Sequence, residues 1–380
     1  MMNGVPELED IESSLGDLSG KNALVKVDFN VPLQDGKISD DLRIKSALPT
    51  IEWLTQRGVN IALCSHLGRP GGKVDQKFSL DPVRIRLKEL GVEAELLPNL
   101  RFSPGEKTLD ESFIDSLVEG KDFFVNDSFG VSHRSEASSI GPSNRLPAAA
   151  GLLFIEEVRQ LNVLLDSPVE PFVAVLGGLK ISDKLPIVKA LLNKVDTLLI
   201  GGAMAFTFLK AQGINVGASL VEDSMIAECK SLLESSNKIM LPTDFVALEP
   251  KGQIGVLDDA KVDEVTNIPD GWEAADIGPE TAAKFSEIIQ TAGTVFWNGP
   301  VGAFEDSRFA TGTSVIADAM AESSGFTVVG GGDSAAAIAE LGSTENISHI
   351  STGGGASLKF IETGDLVALQ ALREGKLGGS

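Results

Sequence analysis

Short apolar runs alternate with amphipathic stretches along most of the chain. In the first half, Ala23–Val27, Val59–Cys64, Ala94–Leu97 and Phe123–Val125 predict strands. Between them, helical spacing of apolar positions predicts helices over Leu42–Arg57, Pro82–Leu90 and Glu111–Val118, with Asp40 and Asp41 placed to cap the first. In the second half the predicted strands are Phe172–Leu176, Thr197–Ile200, Lys238–Leu241, Thr294–Trp297 and Phe326–Val329. The helices predicted there are Ser182–Leu192, Ala203–Ala211, Asp223–Ser235, Arg308–Ser323 and Ser334–Leu341. The strand runs are apolar throughout rather than alternating, as parallel strands covered on both faces should be.

This β-α alternation predicts an α/β protein of two doubly wound, parallel-sheet (Rossmann-like) domains joined by an interdomain helix. The apolar-periodic segment Ala149–Asp166 reads as that helix, ended by Ser167-Pro168. The expected organisation is a first domain over 1–150, a connector over 151–168 and a second domain over 169–364. The tail 365–380 is a candidate to pack back on the first domain, with Glu374–Ser380 expected to fray. A length of 380 residues fits two domains.

Composition narrows the function. A net charge of −22 disfavours nucleic acid and anionic membranes as partners. The two cysteines, Cys64 and Cys229, are far apart and form neither a disulfide framework nor a zinc spacing. Met1–Leu15 is acidic with no apolar signal region, and no uninterrupted apolar stretch reaches the roughly 18 residues of a membrane span, so a cytoplasmic protein is expected.

Candidate chemistry sits at the strand ends, where ligands bind in open α/β sheets. The first half places cations there: Arg43, His66, Arg69, Arg101 and Arg134, with Asp28 and Asn30 just past the first strand. Each arginine taken singly reads as a solvated surface residue. Their joint placement points instead to an anion, since the guanidinium fork grips phosphate and carboxylate bidentately. Asp28 and Asn30 could hold a substrate hydroxyl or an arginine.

The second half places glycines at the corresponding points: Gly177-Gly178, Gly201-Gly202, Gly299, Gly330–Gly332 and Gly353–Gly355. Bare amides at a helix N-terminus attract phosphate. Lys180 and Lys184 share a helix face, either solvated or turned to such an anion. Asp333 opens a helix, either as a plain cap or as a single-carboxylate Mg²⁺ ligand. Gly330–Ala335 also fits a dinucleotide fingerprint, but no acidic residue follows between Asn346 and Ile361 as that fingerprint requires. No Walker-type loop is present.

In this order, the stretches KVDFNVPL (26–33), SHLGRP (65–70), NLRFSPGE (99–106), NDSFGVSHRSEAS (126–138), PFVAVLGGLKISDKL (171–185), GGAMAFTFLK (201–210), TVFWNGPVGAFE (294–305), GGGDSAA (330–336) and HISTGGGASL (349–358) resemble those of the phosphoglycerate kinase family. The resemblance spans nearly the whole chain. It implies reversible phosphoryl transfer between 1,3-bisphosphoglycerate and Mg-ADP, giving 3-phosphoglycerate and Mg-ATP, by a monomer that closes about a hinge. It implies that Asp28, Asn30, Arg43, His66, Arg69, Arg101 and Arg134 hold the phosphoglycerate. On the nucleotide side it implies Lys180, Lys184, Glu305, Gly331, Gly332, Asp333 and Ser334, with Glu305 at the ribose and Asp333 at Mg²⁺. Arg43 and Lys180, with the amides of Gly332 and Gly354, would flank the phosphoryl group in transfer.

The chain departs from the family pattern at Leu179, where a small residue is usual and a narrower pocket is expected. It departs again at Pro98 and in the tail after Leu358. Two rivals remain on sequence grounds. One is a dehydrogenase, which needs a nicotinamide site. The other is a two-domain binding protein for a phosphorylated metabolite, which needs the basic set but not Lys180 or Asp333.

Overall fold

The computed structural model describes residues 4–257, 259–341 and 346–378. The chain divides into two compact units, one of Met1–Arg159 with Gly364–Ser380 and one of Gln160–Thr363. The division falls inside the helix Leu152–Asp166, which therefore contributes residues to both.

The first unit is built on five parallel strands: Asn22–Val27, Asn60–Cys64, Glu95–Leu96, Phe123–Asp127 and Ala148–Ala150. Their spatial order is third, second, first, fourth, fifth. The order reverses between the first and fourth strands, which opens a crevice at their carboxyl ends. The central strand is buried from Ala23 to Val27, including Lys26 in the middle of an apolar run. Lys26 is tolerated because Nζ donates to Ser138 Oγ at 2.6 Å and lies 3.4 Å from Glu106 Oε1. Ser138 closes the group by donating from its hydroxyl to Glu106 Oε1 and from its amide to Glu106 Oε2, at 2.7 and 3.0 Å.

The second unit repeats the plan with six parallel strands: Phe172–Leu176, Thr197–Ile200, Ile239–Met240, Thr294–Asn298, Phe326–Gly330 and His349–Ile350. Again the order is third, second, first, fourth, then onward, so the reversal lies between Phe172–Leu176 and Thr294–Asn298. A separate antiparallel sheet, Val262–Val265, Phe245–Leu248 and Glu273–Ile277, packs its own small core around Phe206, Phe245 and Ile268.

Several elements differ from the sequence reading. Ala148–Ala150 is a strand paired with Phe124–Asn126, and the helix begins only at Leu152. Three small side chains fit the covered sheet edge, and strand pairing overrides alanine's helix preference. Gly151 makes the break, since a Cβ there would lie 2.3 Å from Asp127 Oδ1. The stretch Leu42–Arg57 is two helices, Leu42–Ser46 and Leu48–Gln56, because Pro49 lacks an N–H and crowds the carbonyl four residues back. Asp41 takes the cap position, yet its carboxylate pairs with Lys45 and Arg86, and Asp40 accepts the Leu42 amide. The antiparallel sheet and the hairpin Leu33–Gln34/Lys37–Ile38 were not anticipated. That hairpin turns on Asp35 and Gly36, both at positive φ, as a two-residue turn of this kind requires.

The tail does not fray through Gly378. The Ala368 amide donates to Ser132 O, the Lys376 amide to Ser143 O, and Leu377 packs on the core of the first unit. Gly379 and Ser380 lie outside the described residues.

Candidate active site

In the first unit the chain leaves its first strand at Asp28, and the groups expected there converge. Arg43, in the short helix after the hairpin, donates from Nη1 to Asp28 Oδ2 at 2.5 Å. Of the two roles open to Asp28, the structure shows it holding an arginine. His66 Nδ1 lies 3.9 Å from Asp28 Oδ1, too far for a hydrogen bond. Asn30 Oδ1 accepts the Gly68 amide at 2.8 Å, which ties the first and second strand loops together. Gly68 has φ +62°, and a Cβ there would run into the Phe78 ring at 2.3 Å.

Arg101 is buried between Gly68 O and Glu136 Oε1, each 2.9 Å away. Arg134 donates from Nε to His133 Nε2 at 3.2 Å, and Arg69 is exposed. Counting His66 among the cations needs correction: burial pushes its pKa down to about 3, against the opposing pull of Asp28, so it is a neutral hydrogen-bonding group. Burial also lowers His133, with Arg134 adding to the effect. Glu136 was missed by sequence reasoning. Burial raises its carboxyl, but Lys26, Lys107 and Arg101 outweigh that and bring it to about 2. Four atoms of this cluster, His66 Nδ1, Arg101 Nε, His133 Nδ1 and Glu136 Oε2, are buried with no hydrogen-bond partner among the described residues. Buried donors and acceptors are seldom left so, and polar ligands commonly complete them.

The second unit holds a cavity of about 480 Å³ at the carboxyl ends of its strands, lined in part by Gly178, Leu179, Lys180, Lys184, Gly299, Glu305 and Asp333. Four expected nucleotide-side residues, Lys180, Lys184, Glu305 and Asp333, therefore share one cavity wall. Lys180 and Glu305 are exposed, and Leu179 stands 70% exposed at the rim rather than filling the floor. Lys184 is half-buried, its Nζ donating to both oxygens of Asn298, with the backbone contact at 3.2 Å. Burial lowers its pKa to about 8, partly opposed by Asp333 and Asp183.

The glycines play a different part from the one read in the sequence. The amides of Gly177, Gly178, Gly201 and Gly202 are taken by Asn298 O, Pro300 O, Leu176 O and Val301 O. A Cβ at Gly177 would sit 2.0 Å from Pro300 O, and one at Gly299 2.4 Å from Gly177 O. These residues are glycine so that two loops can pack backbone on backbone. Ser334 is likewise committed: it is fully buried, and its hydroxyl accepts the Gly299 amide at 2.6 Å. Near Gly354, the Gly353 amide donates to Ser351 Oγ at 3.1 Å.

One helix terminus does remain open. The first hydrogen bond inside Gly332–Leu341 runs from the Ala335 amide to Gly331 O at 3.0 Å. The amides of Gly332, Asp333 and Ser334 therefore have no acceptor within the helix. Asp333 is exposed at this end, and no hydrogen bond engages its carboxylate among the described residues. No group of three or more His, Cys, Asp or Glu side chains able to hold a metal occurs among the described residues. An ion at Asp333 would thus draw its other ligands from nucleotide phosphates and water, as Mg²⁺ commonly does.

A family model described as phosphoglycerate kinase matches residues 11–364. The phosphoglycerate kinase of Rubrobacter xylanophilus is 47% identical over 94% of this chain and 97% of its own length. That of Moorella thermoacetica is 46% identical over 97% of this chain and 98% of its own length. Among solved structures, phosphoglycerate kinase from Coxiella burnetii superposes with a TM-score of 0.84 at 36% identity, covering 94% of this chain and 97% of its own. That from Pyrococcus horikoshii gives 0.84 at 31% identity, covering 97% and 98%. With the doubly wound fold, the basic cluster and the open helix terminus, these likenesses show that the chain belongs to the phosphoglycerate kinase family.

Proposed function

We propose a division of labour for the family's reaction, the reversible phosphoryl transfer between 1,3-bisphosphoglycerate and Mg-ADP that gives 3-phosphoglycerate and Mg-ATP. The cluster of Asp28, Asn30, Arg43, His66, Arg69, Arg101 and Arg134 holds the phosphoglycerate. The buried, partnerless atoms of His66 and Arg101 beside this cluster are the observation that carries the assignment. A phosphate and a carboxylate bring the acceptors that Arg101 Nε lacks. Neutral His66 serves as a hydrogen-bonding group and adds no charge.

On the nucleotide side, Lys180 and Lys184 neutralise polyphosphate oxygens and Glu305 takes the ribose. The free amides of Gly332, Asp333 and Ser334 cradle phosphate, as helix N-termini do. Asp333 would hold Mg²⁺, whose charge would offset that of the nucleotide phosphates. Ser334 contributes its amide, because its hydroxyl braces the Gly299 turn. Gly331 gives the turn before this helix its φ of +101°, and Gly354 offers backbone to the transferring group.

An acyl phosphate is already an activated donor, so direct in-line transfer needs no covalent enzyme intermediate. Alignment and charge stabilisation suffice, with Arg43 from the first unit and Lys180 and the Gly332 amide from the second flanking the group in flight. Hinge closure is the means proposed for the family's transfer, with the shared helix Leu152–Asp166 as the pivot. The cytoplasm and a monomeric state complete the reading. The test is ATP-dependent phosphorylation of 3-phosphoglycerate by the purified chain, coupled to reduction of the product. Turnover that needs both substrates and Mg²⁺ is expected. Mg-ADP binding without turnover would refute the reading, as would binding of phosphoglycerate alone.

A further inference from the structure

Among the helices that begin at the carboxyl ends of the second unit's sheet, two follow its first and fifth strands, Ile181–Leu192 and Gly332–Leu341. In a sheet of this strand order, the helix after the first strand is the usual phosphate seat. Here that seat is filled from within the protein. Glu222 Oε2 accepts the Ser182 amide at 3.0 Å, and Glu222 Oε1 accepts the Ser182 hydroxyl at 2.5 Å. Lys180, next to this terminus, adds a favourable charge to the carboxylate. Glu222 is itself fixed, its amide donating to Thr207 Oγ1 at 3.1 Å.

The geometry points to Glu222 as a specificity-determining residue: its carboxylate occupies the anion position at the Ile181–Leu192 helix and leaves the Gly332–Leu341 helix as the only open phosphate seat of the two. A carboxylate bonded to the Ser182 amide and hydroxyl reproduces what one phosphate oxygen pair would do there. The terminus lies beside Lys180, whose side chain is exposed at the cavity. Left vacant, it would offer a polyphosphate chain a second register next to the lysine that must meet the transferring group. Glu222 removes that register. The inference rests on the nucleotide assignment proposed above.

The test uses inorganic pyrophosphate as a competitive inhibitor against Mg-ATP in the full chain. Glu222→Ala frees the Ser182 amide and hydroxyl. Its inhibition constant for pyrophosphate is expected to fall at least threefold below wild type, with KM for Mg-ATP raised and KM for 3-phosphoglycerate within twofold. A fall of less than threefold in a folded, active Glu222→Ala variant overturns the inference. Glu222→Gln keeps an acceptor but loses the charge, and the same threshold is read on it if the alanine variant fails to fold. An inactive wild type would sink the underlying activity, whereas unchanged inhibition in an active variant sinks only the role of Glu222.

Discussion

If the second unit's cavity takes the nucleotide as proposed, Lys184 gives its binding a pH dependence that follows from its surroundings. Its Nζ is held against Asn298, and burial brings its pKa to about 8. By that value it is about nine-tenths charged at pH 7 and about one-tenth charged at pH 9. A polyphosphate within hydrogen-bonding reach favours the ammonium form and would raise the pKa by roughly 2 units. Above pH 8, binding must then take up a proton, which weakens affinity as pH rises. Between pH 7 and 9 the dissociation constant for Mg-ADP should grow about tenfold, or about 1.4 kcal/mol. The direction follows from the charged form being the one that binds. Calorimetric titration with Mg-ADP at pH 7, 8 and 9 and constant ionic strength measures it, above the range in which the terminal phosphate itself ionises. Lys184→Met should bind more weakly at pH 7 and lose the slope. A wild-type constant that moves less than twofold, or a methionine variant that keeps the slope, would refute the reasoning.

Arg43→Ala should lower kcat by roughly a hundredfold, about 3 kcal/mol for one lost preorganised donor, while Mg-ADP affinity stays within twofold. A kcat within threefold of wild type would remove Arg43 from the transfer step. Lys26→Met strands the buried Glu106 carboxylate and should cost about 3–5 kcal/mol in urea unfolding, whereas the double change Lys26→Met/Glu106→Leu should recover most of it. A single variant losing less than about 1 kcal/mol would mean that Glu106 does not depend on its lysine.

The strand-end positions of the basic and glycine residues were legible because they depend on local order: an apolar run, then a loop, then a helical period. What those residues do there depends on contacts far away in sequence. Gly177 is a glycine because Pro300 O lies where its Cβ would be, more than a hundred residues on. His66 is neutral because the surrounding sheet and loops bury it, which no neighbouring residue in the sequence announces. Ala148–Ala150 pairs as a strand through Phe124–Asn126, while its own composition favours a helix. The antiparallel sheet escaped notice because Val262–Val265 is short, half-exposed and carries two acids, so neither period stands out. Lys26 did carry a signal, as a lone cation in an otherwise apolar run.

Both units use the same strand order, yet the segment after the first strand differs between them, and that difference sorts the chemistry. In the first unit the chain passes from Asp28 into a hairpin, so no long helix terminus stands at the first strand's end. On the proposed assignment, anion recognition there falls to side chains, and arginine forks suit a small ligand with a carboxylate and a phosphate at fixed separation. In the second unit helices follow the strands, the one at Ile181 closed by Glu222 and the one at Gly332 open. Amides carry no net charge, so they can line a polyphosphate without adding cations beyond Lys180 and Lys184. That economy matters in a chain of net charge −22, where 54 acidic groups outnumber 32 Lys and Arg and each cation acts mainly at short range. On the nucleotide assignment proposed above, adding a cation near Gly332 should therefore tighten nucleotide binding without raising turnover, since it adds charge equally to the bound substrate and to the transition state.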